Sequence, residues 1–302
     1  FHDSTVIPVV YLESLGTTYV TKTLLASDAG SPLVGFKQKG IGSVSRTVNQ
    51  KLQDQISVRD FGAVGDGITD DTLAFNKAIT SGFKVFVPNG TYLVTTLAIP
   101  NWVEIVGETQ FGCTIQCDGD LFDLTTIDSS LHLSNITVQN VTTRGILVKI
   151  SYASHINTST FERVHFKKAL YHVYTDRGAN ISFVAWRFSN CRFIDASVTS
   201  RHYGAAWALV EENCYTWYCN RGIQFAGDIS TVRIIDSVFE LNGNEAINIY
   251  LNQNATLIGL LFQGLHFEAN GQTVASHDII IDGFAATANA QQVSFINCNS
   301  FV

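Results

Sequence analysis

Methionine is absent from the 302 residues, proline occurs 4 times, and charged residues make up only 15% of the chain. A sequence that opens on Phe1-His2-Asp3 and stops on Ser300-Phe301-Val302, in strand-type composition with no polar cap, reads as an excerpt of a longer product. Long apolar runs are also missing: nothing approaches the roughly 20 uninterrupted apolar residues of a membrane-spanning helix. The first residues lack the basic-then-apolar profile of a signal peptide. Membrane insertion and ordinary secretion are therefore not expected. Positive charge is scarce, with 19 Lys and Arg against 26 Asp and Glu. A net charge of -7 has the wrong sign for tracking phosphates, and no basic run compensates, so nucleic acid is not an expected partner. Six cysteines are too sparse for a disulfide scaffold, and Cys113/Cys117 has a ligand-like spacing without a second pair nearby. They read as reduced core thiols. No metal spacing or phosphate loop stands out, and no cofactor is expected.

What the chain does have is apolar material, 46% of its residues, enough for a large core. Residues 1 to about 42 mix Thr, Ser, Val and Gly without a sustained period, as in short exposed strands or an extended arm. From Ser43, a possible cap, Val44, Val48, Leu52 and Ile56 follow at four-residue steps, which predicts a helical neck whose apolar stripe needs a partner. A second helix is predicted after a Thr69 cap, with Asp70-Asp71 at its N-terminus, Ala74, Phe75, Ala78 and Ile79 on its apolar face, and Gly82 at its end. The expected division is an arm and neck over 1–56 and a second domain over 57–302.

Beyond residue 84 the pattern changes to strands: Lys84–Val87, Thr91–Leu97, Val103–Val106, and then a repeat. Asn135-Ile136-Thr137-Val138, Arg163-Val164-His165-Phe166, Asn190-Cys191-Arg192-Phe193, Asn213-Cys214-Tyr215-Thr216, Asp236-Ser237-Val238-Phe239, Gly264-Leu265-His266-Phe267 and Asn297-Cys298-Asn299-Ser300 share one form. Their second positions are 28, 27, 23, 23, 28 and 33 residues apart, a mean of 27. Short strands and Asn/Gly turns at that period predict an all-β parallel β-helix, in which each coil stacks on the last. Strand alternation then places Ile136, Val164, Cys191, Cys214, Ser237, Leu265 and Cys298 in one inward column. Val138, Phe166, Phe193, Thr216, Phe239, Phe267 and Ser300 form the next.

Residues 58–76 carry a motif as well as a pattern. Val58-Arg59-Asp60-Phe61-Gly62-Ala63-Val64-Gly65-Asp66-Gly67, leading into Thr69-Asp70-Asp71-Thr72-Leu73-Ala74-Phe75, resembles the opening of the pectate-lyase-3 type, pectin-lyase-like β-helix, and Pro88-Asn89-Gly90-Thr91-Tyr92 resembles its next landmark. Upstream, Gly30-Ser31-Pro32-Leu33-Val34-Gly35-Phe36-Lys37-Gln38, Arg46-Thr47-Val48 and Lys51-Leu52 are similar to the neck of bacteriophage tailspike depolymerases. The resemblance implies a right-handed solenoid with an N-terminal cap helix, in a homotrimer on the virion tail that joins other tail proteins through its N-terminal region. It also implies binding and cleavage of bacterial surface polysaccharide, capsule or O-antigen. Asn-Thr-Asp, Gly-His-Gly and Arg-x-Lys, which mark plant-type polygalacturonases of this fold, are missing at matching places, so pectin is an unexpected substrate. The family supplies no catalytic positions to carry over, and Asp70-Asp71 reads as structural.

Candidates for the chemistry come from the register. Flanking the inward column are Tyr215 and Trp217, then Val238 and Glu240, then His266 and Glu268, all expected to point outward. Aromatic rings suit sugar faces, and paired carboxylates suit glycosidic cleavage. Glu240 and Glu268 occupy twin segments 28 residues apart, hence one rung, roughly 5 Å, from each other. The competing reading is that a Glu before Asn242-Gly243 or Asn270-Gly271 is a solvated turn residue or binds turn amides. Asp228 either faces the same cleft or belongs to an ordinary Gly-Asp turn. Of Glu211 and Glu212, alternation leaves only one at the surface, where Glu212 would help bind substrate. His266 is a possible base, and Lys167 and Arg192 face outward, able to hold an acidic polymer in a lyase-type alternative. A third alternative is a glycan-binding spike without catalysis. Trp207 has no assignable register.

Overall fold

The computed structural model describes residues 11–12, 17–18, 21–126, 129–150, 156–175, 183–251, 255–271, 277–283 and 289–301. The chain divides into two compact units, Phe1–Ile56 and Ser57–Val302.

In the first unit, residues 1–10, 13–16 and 19–20 of the expected arm lie outside the described residues. The neck differs from the four-residue pattern. Ser45–Thr47 is an antiparallel strand paired with Gly35–Lys37, and the helix is confined to Val48–Leu52. The physical reason is the start signal: Thr47, not Ser43, is the N-cap, accepting from the Gln50 amide while the Gln50 side chain accepts from the Thr47 amide. With Val44 before the cap and Ile56 already in the strand Ile56–Ser57, the four residues share no helical face. Val44 and Leu52 are both exposed.

The second unit is a parallel β-solenoid of about seven coils. Its opening motif has a local logic. Asp71, nearly fully buried, accepts from the amides of Val64 at 2.7 Å and Gly65 at 3.1 Å. Gly65 sits at φ +71°, where a Cβ would lie 2.7 Å from the Tyr92 ring, so only glycine fits. The helix starts later than the sequence suggests, at Thr72–Ser81, because Thr69 belongs to the strand Asp66–Asp70. Asp70 accepts from the Thr72 amide. The helix buries Ala74, Phe75, Ala78 and Ile79, and gives way at Gly82.

Lys84–Val87 is a strand, the expected Thr91–Leu97 strand is split into Gly90–Leu93 and Leu97–Ile99, and Trp102–Gly107 follows. The repeats then stack in the register read from the sequence: Val138 on Phe166, Phe166 on Phe193, Phe193 on Thr216, Thr216 on Phe239, Phe239 on Phe267 and Phe267 on Ser300. Every member through Phe267 is buried; Ser300, on the last described coil, is exposed. Phe166 and Phe193 stack with centroids 4.9 Å apart and planes 4° from parallel. Cys113, Cys117, Cys191, Cys214 and Cys219 are buried free thiols, and burial pushes Cys113 and Cys117 up to about 12.

Each repeat begins at a corner with left-handed backbone: Asn135, Arg163, Asn190, Asn213, Asp236, Gly264 and Asn297 all have positive φ. Asparagine, aspartate and glycine accept that conformation at least cost, which explains their recurrence at this position. A second left-handed column, Lys168, Asp195, Tyr218, Leu241 and Ala269, closes the same short strands. Two fixed corners thus define one narrow face.

Candidate functional site

That face lies between the two corner columns. Its coils present outward, in order, Thr137 and Gln139, His165 and Lys167, Arg192 and Ile194, Tyr215 and Trp217, Val238 and Glu240, His266 and Glu268, and Asn299 and Phe301. The strip therefore runs from cationic rungs through an aromatic rung to acidic ones, at about 4.8 Å per rung.

Glu240 and Glu268 are direct register partners. Tyr215, one rung before Glu240, donates its hydroxyl to a Glu240 carboxylate oxygen. Burial, and then the hydrogen bond and negative charge of Glu240, push the Tyr215 phenol upward, so it remains a donor at neutral pH. Glu268 is exposed and lies 3.2 Å from His266 Nε2, whose ring packs against Phe301. The turn amides find other partners. Asn242 accepts from the Cys219 amide and Asn270 from the Asn242 amide, and the two asparagine side chains bond each other at 2.7 Å. Among the described residues neither glutamate side chain accepts from a turn amide.

Trp217 packs on Tyr218 and Tyr215, with centroids 4.5 and 6.2 Å away. A groove of about 710 Å³ opens beside them, lined by Gln110, Arg163, Asn190, Arg192, Tyr215 and Trp217 among others. Phe111, from the loop before Cys113–Cys117, reaches over this region, 5.5 Å from the Arg192 guanidinium and 5.6 Å from the His165 ring. Gln110, Phe111 and His165 were missing from the sequence-based candidates. His165 sits in an outward column and was legible by register; the loop contact was not, because it comes from a coil far earlier in the chain.

The structure does not bring Asp228 to this strip. It lies between Ile223–Phe225 and Ile229–Ser230, beyond the corner that ends the strip, and its carboxylate accepts from the Thr256 amide one coil on at 2.8 Å. This is the turn role of a Gly-Asp pair. Glu212 sits across the Asn213 corner, 2.5 Å from Arg187 and 3.2 Å from Ser189 Oγ. Trp207 belongs to Ala206–Trp207, opposite Ser230, on another side of the solenoid.

Glu211 is the inward partner. It is fully buried and paired at 2.9 Å with Arg201, also fully buried, whose guanidinium lies 3.9 Å from the Phe193 centroid and donates to Thr216 and Ser200 hydroxyls. Burial raises Glu211, against the pull of Arg201. His172 completes the interior cluster, bound to Ser200 Oγ at 3.0 Å and the Ile194 carbonyl at 3.1 Å.

Comparison with known proteins agrees with this architecture. The tail spike protein of Shigella phage Sf6 is 26% identical over 270 residues, covering 84% of this chain and 38% of its own length. The pre-neck appendage protein of Bacillus phage phi29 is 50% identical over 52 residues, 17% of this chain and 6% of that one. The chain thus spans well under half of these relatives. Among solved structures, tailspike protein 3 of bacteriophage CBA120 superposes with a TM-score of 0.53 at 18% identity, over 81% of this chain and 48% of its own. The sequence profile described as rhamnogalacturonase A/epimerase, pectate lyase-like, matches residues 55–299. With phage tail spikes as homologues and the stacked coils of the family, the chain belongs to the rhamnogalacturonase A/epimerase, pectate lyase-like family.

Proposed function

We propose that this chain is the glycan-processing part of a phage tailspike that binds and depolymerises bacterial surface polysaccharide, capsule or O-antigen. The carrying observation spans three successive rungs: a carboxylate held by the Tyr215 hydroxyl, a second carboxylate one rung on, and the Trp217 platform one rung before. Polymer lies along the strip with a sugar face on Trp217. Glu240, fixed by Tyr215, acts as base or nucleophile at the anomeric carbon, and Glu268 protonates the leaving oxygen as the glycosidic bond breaks and water is added. His266 orients Glu268. Glu212 is excluded from the pair by its Arg187 contact and takes a binding role at the edge.

The cationic rungs favour one second reading, a lyase, in which Lys167 or Arg192 neutralises a uronate while a base on the same or the adjoining rung removes the proton beside that carboxylate; His266, three rungs or about 14 Å from Arg192, is too far to be that base. Unsaturated, ultraviolet-absorbing products identify that chemistry. The exposed Val44 and Leu52 near the start support association into a homotrimer on the virion tail, joined to other tail proteins through the N-terminal region.

Incubation with purified capsules and O-antigens from a panel of strains, followed by sizing of the products, tests the reading. The parent shortens one polymer class, whereas Glu240→Gln and Glu268→Gln bind it without shortening it. Cleavage by both variants at the parent rate sinks the assignment, and binding without cleavage by the parent leaves a glycan-binding spike.

A further inference from the structure

The strip is graded in charge, and the grade has chemical content. Arg192 is exposed, lines the groove, and has the Phe111 ring near its guanidinium at 5.5 Å. The ring covers part of the cation without neutralising it, so the remaining N–H donors face solvent. Lys167 lies one coil before, half-buried in the other outward column. Among the described residues neither Arg192 nor Lys167 forms an ion pair. Nearby arginines do: Arg187 meets Glu212 at 2.5 Å, Arg221 meets Glu245 at 2.7 Å, and Arg163 meets Glu162 at 3.2 Å. In a chain of net charge -7, two unneutralised cations on neighbouring rungs, with Arg192 lining the groove, call for a partner from outside.

His165 registers the field they create. Its ring is buried on the Lys167 rung, in register with Arg192 and under Phe111, its Nε2 has no partner among the described residues, and burial followed by the charges of Lys167 and Arg192 lowers it to about 4. It is therefore neutral at physiological pH and leaves the two permanent cations to act alone. Arg192 is two rungs, about 10 Å, from the level of Glu240. That is comparable with the roughly 8 Å screening length at physiological ionic strength, so the carboxylates do not cancel it.

We infer that the Arg192 and Lys167 rungs form an anionic subsite, so that the polymer handled by this strip is an acidic polysaccharide whose carboxylate, sulfate or phosphate group seats there while a neighbouring sugar rests on Trp217. The inference rests on the proposed depolymerase reading and adds the chemical class of its substrate. Arg192 offers a planar fork to a planar or tetrahedral anion, and Lys167 adds a point charge from the adjacent coil. The opposite sign at Glu240 and Glu268 repels a second acidic group from the cleavage level, which places a single register of acidic and neutral sugars on the strip.

The test uses the Glu240→Gln variant, which holds polymer without cutting it, titrated with purified acidic and neutral capsules and O-antigens, and with the best-bound polymer after chemical removal of its acidic groups. The expected ligand is acidic. Adding Arg192→Gln or Lys167→Gln weakens it about tenfold, added salt weakens it further, and neither added substitution matters once the acidic groups are gone. A neutral polymer as the tightest ligand, equal binding of the stripped polymer, or an unchanged Kd in both cation variants overturns the subsite. A shift in oligomeric state without a change in Kd also overturns it, since the cations would then serve an interface between copies. Unchanged melting temperatures certify the fold of these surface variants. Cleavage by Glu240→Gln in otherwise parent background instead strikes the carboxylate assignment, and binding to no polymer at all removes both readings.

Discussion

Glu211 and Glu240 are carboxylates on neighbouring coils of one solenoid, and strand alternation sends them to opposite worlds. Glu211 is sealed inside, with Arg201 as its partner, whose guanidinium lies against the Phe193 and Phe239 rings. Glu240 stands on the outward face, half-buried, with a tyrosine hydroxyl as partner. Without its partner the sealed carboxylate is a liability to the fold. The open one can lose its partner and leave the fold intact, because water replaces what is removed. Carboxylates at the second kind of position are free to do chemistry; those at the first kind are committed to structure.

The sharpest way to break this contrast is to neutralise each carboxylate in turn. Glu240→Gln is expected to reduce polysaccharide cleavage by orders of magnitude, measured by product sizing, while changing unfolding free energy by less than about 0.5 kcal/mol. Arg201→Ala is expected to do the reverse, costing about 3–5 kcal/mol in denaturant unfolding because it strands Glu211 in the core. Replacing both partners by apolar residues, Arg201→Met with Glu211→Leu, should recover most of that loss. If the double variant is as damaged as the single, the pair matters for more than charge compensation.

Acid supplies a further probe of the interior. Burial lowers His172 to about 3, far below the roughly 6.5 of an unfolded histidine. Between those values the unfolded chain binds the proton and the folded one does not, so stability should fall as pH drops from about 6.5 toward 3, by up to about 1.4 kcal/mol per pH unit. His172→Asn should flatten that slope in melts across the window. The smallest effect is reserved for the surface pair: Glu212→Gln removes an exposed contact with Arg187 and should alter stability by no more than about 1 kcal/mol.

Most of the solenoid was legible before any coordinate. The repeat placed Phe166, Phe193, Thr216, Phe239 and Phe267 in one column and Glu240 opposite Glu268, because side-chain alternation and coil stacking leave no other register once one face is apolar. Other features escaped it. The neck stripe mimicked a helix because four-residue spacing carries no record of where a capping box begins, and Thr47 with Gln50 decided that. Arg201 and His172 were invisible as core because alternation marks an inward position by apolarity, and here the inward residues are polar and bond one another in part, with Arg201 Nε and Glu211 Oε2 left without a partner among the described residues. Asp228 was offered to the cleft because a sequence does not show which side of a coil a turn occupies; its bond to the Thr256 amide does. Phe111 over Arg192 joins coils whose separation along the chain hides the contact.

The two left-handed corner columns have one more consequence. They pin both ends of five of the short strands on the strip at the same height, while the full coil repeat varies in length from 23 to 33 residues. Length variation is absorbed away from the strip, and the outward pair on each rung can be exchanged without disturbing the inward column beneath it. The face therefore behaves like a line of type: a few letters per rung spell its sequence of charge and ring, and that sequence can be reset while the press stays the same.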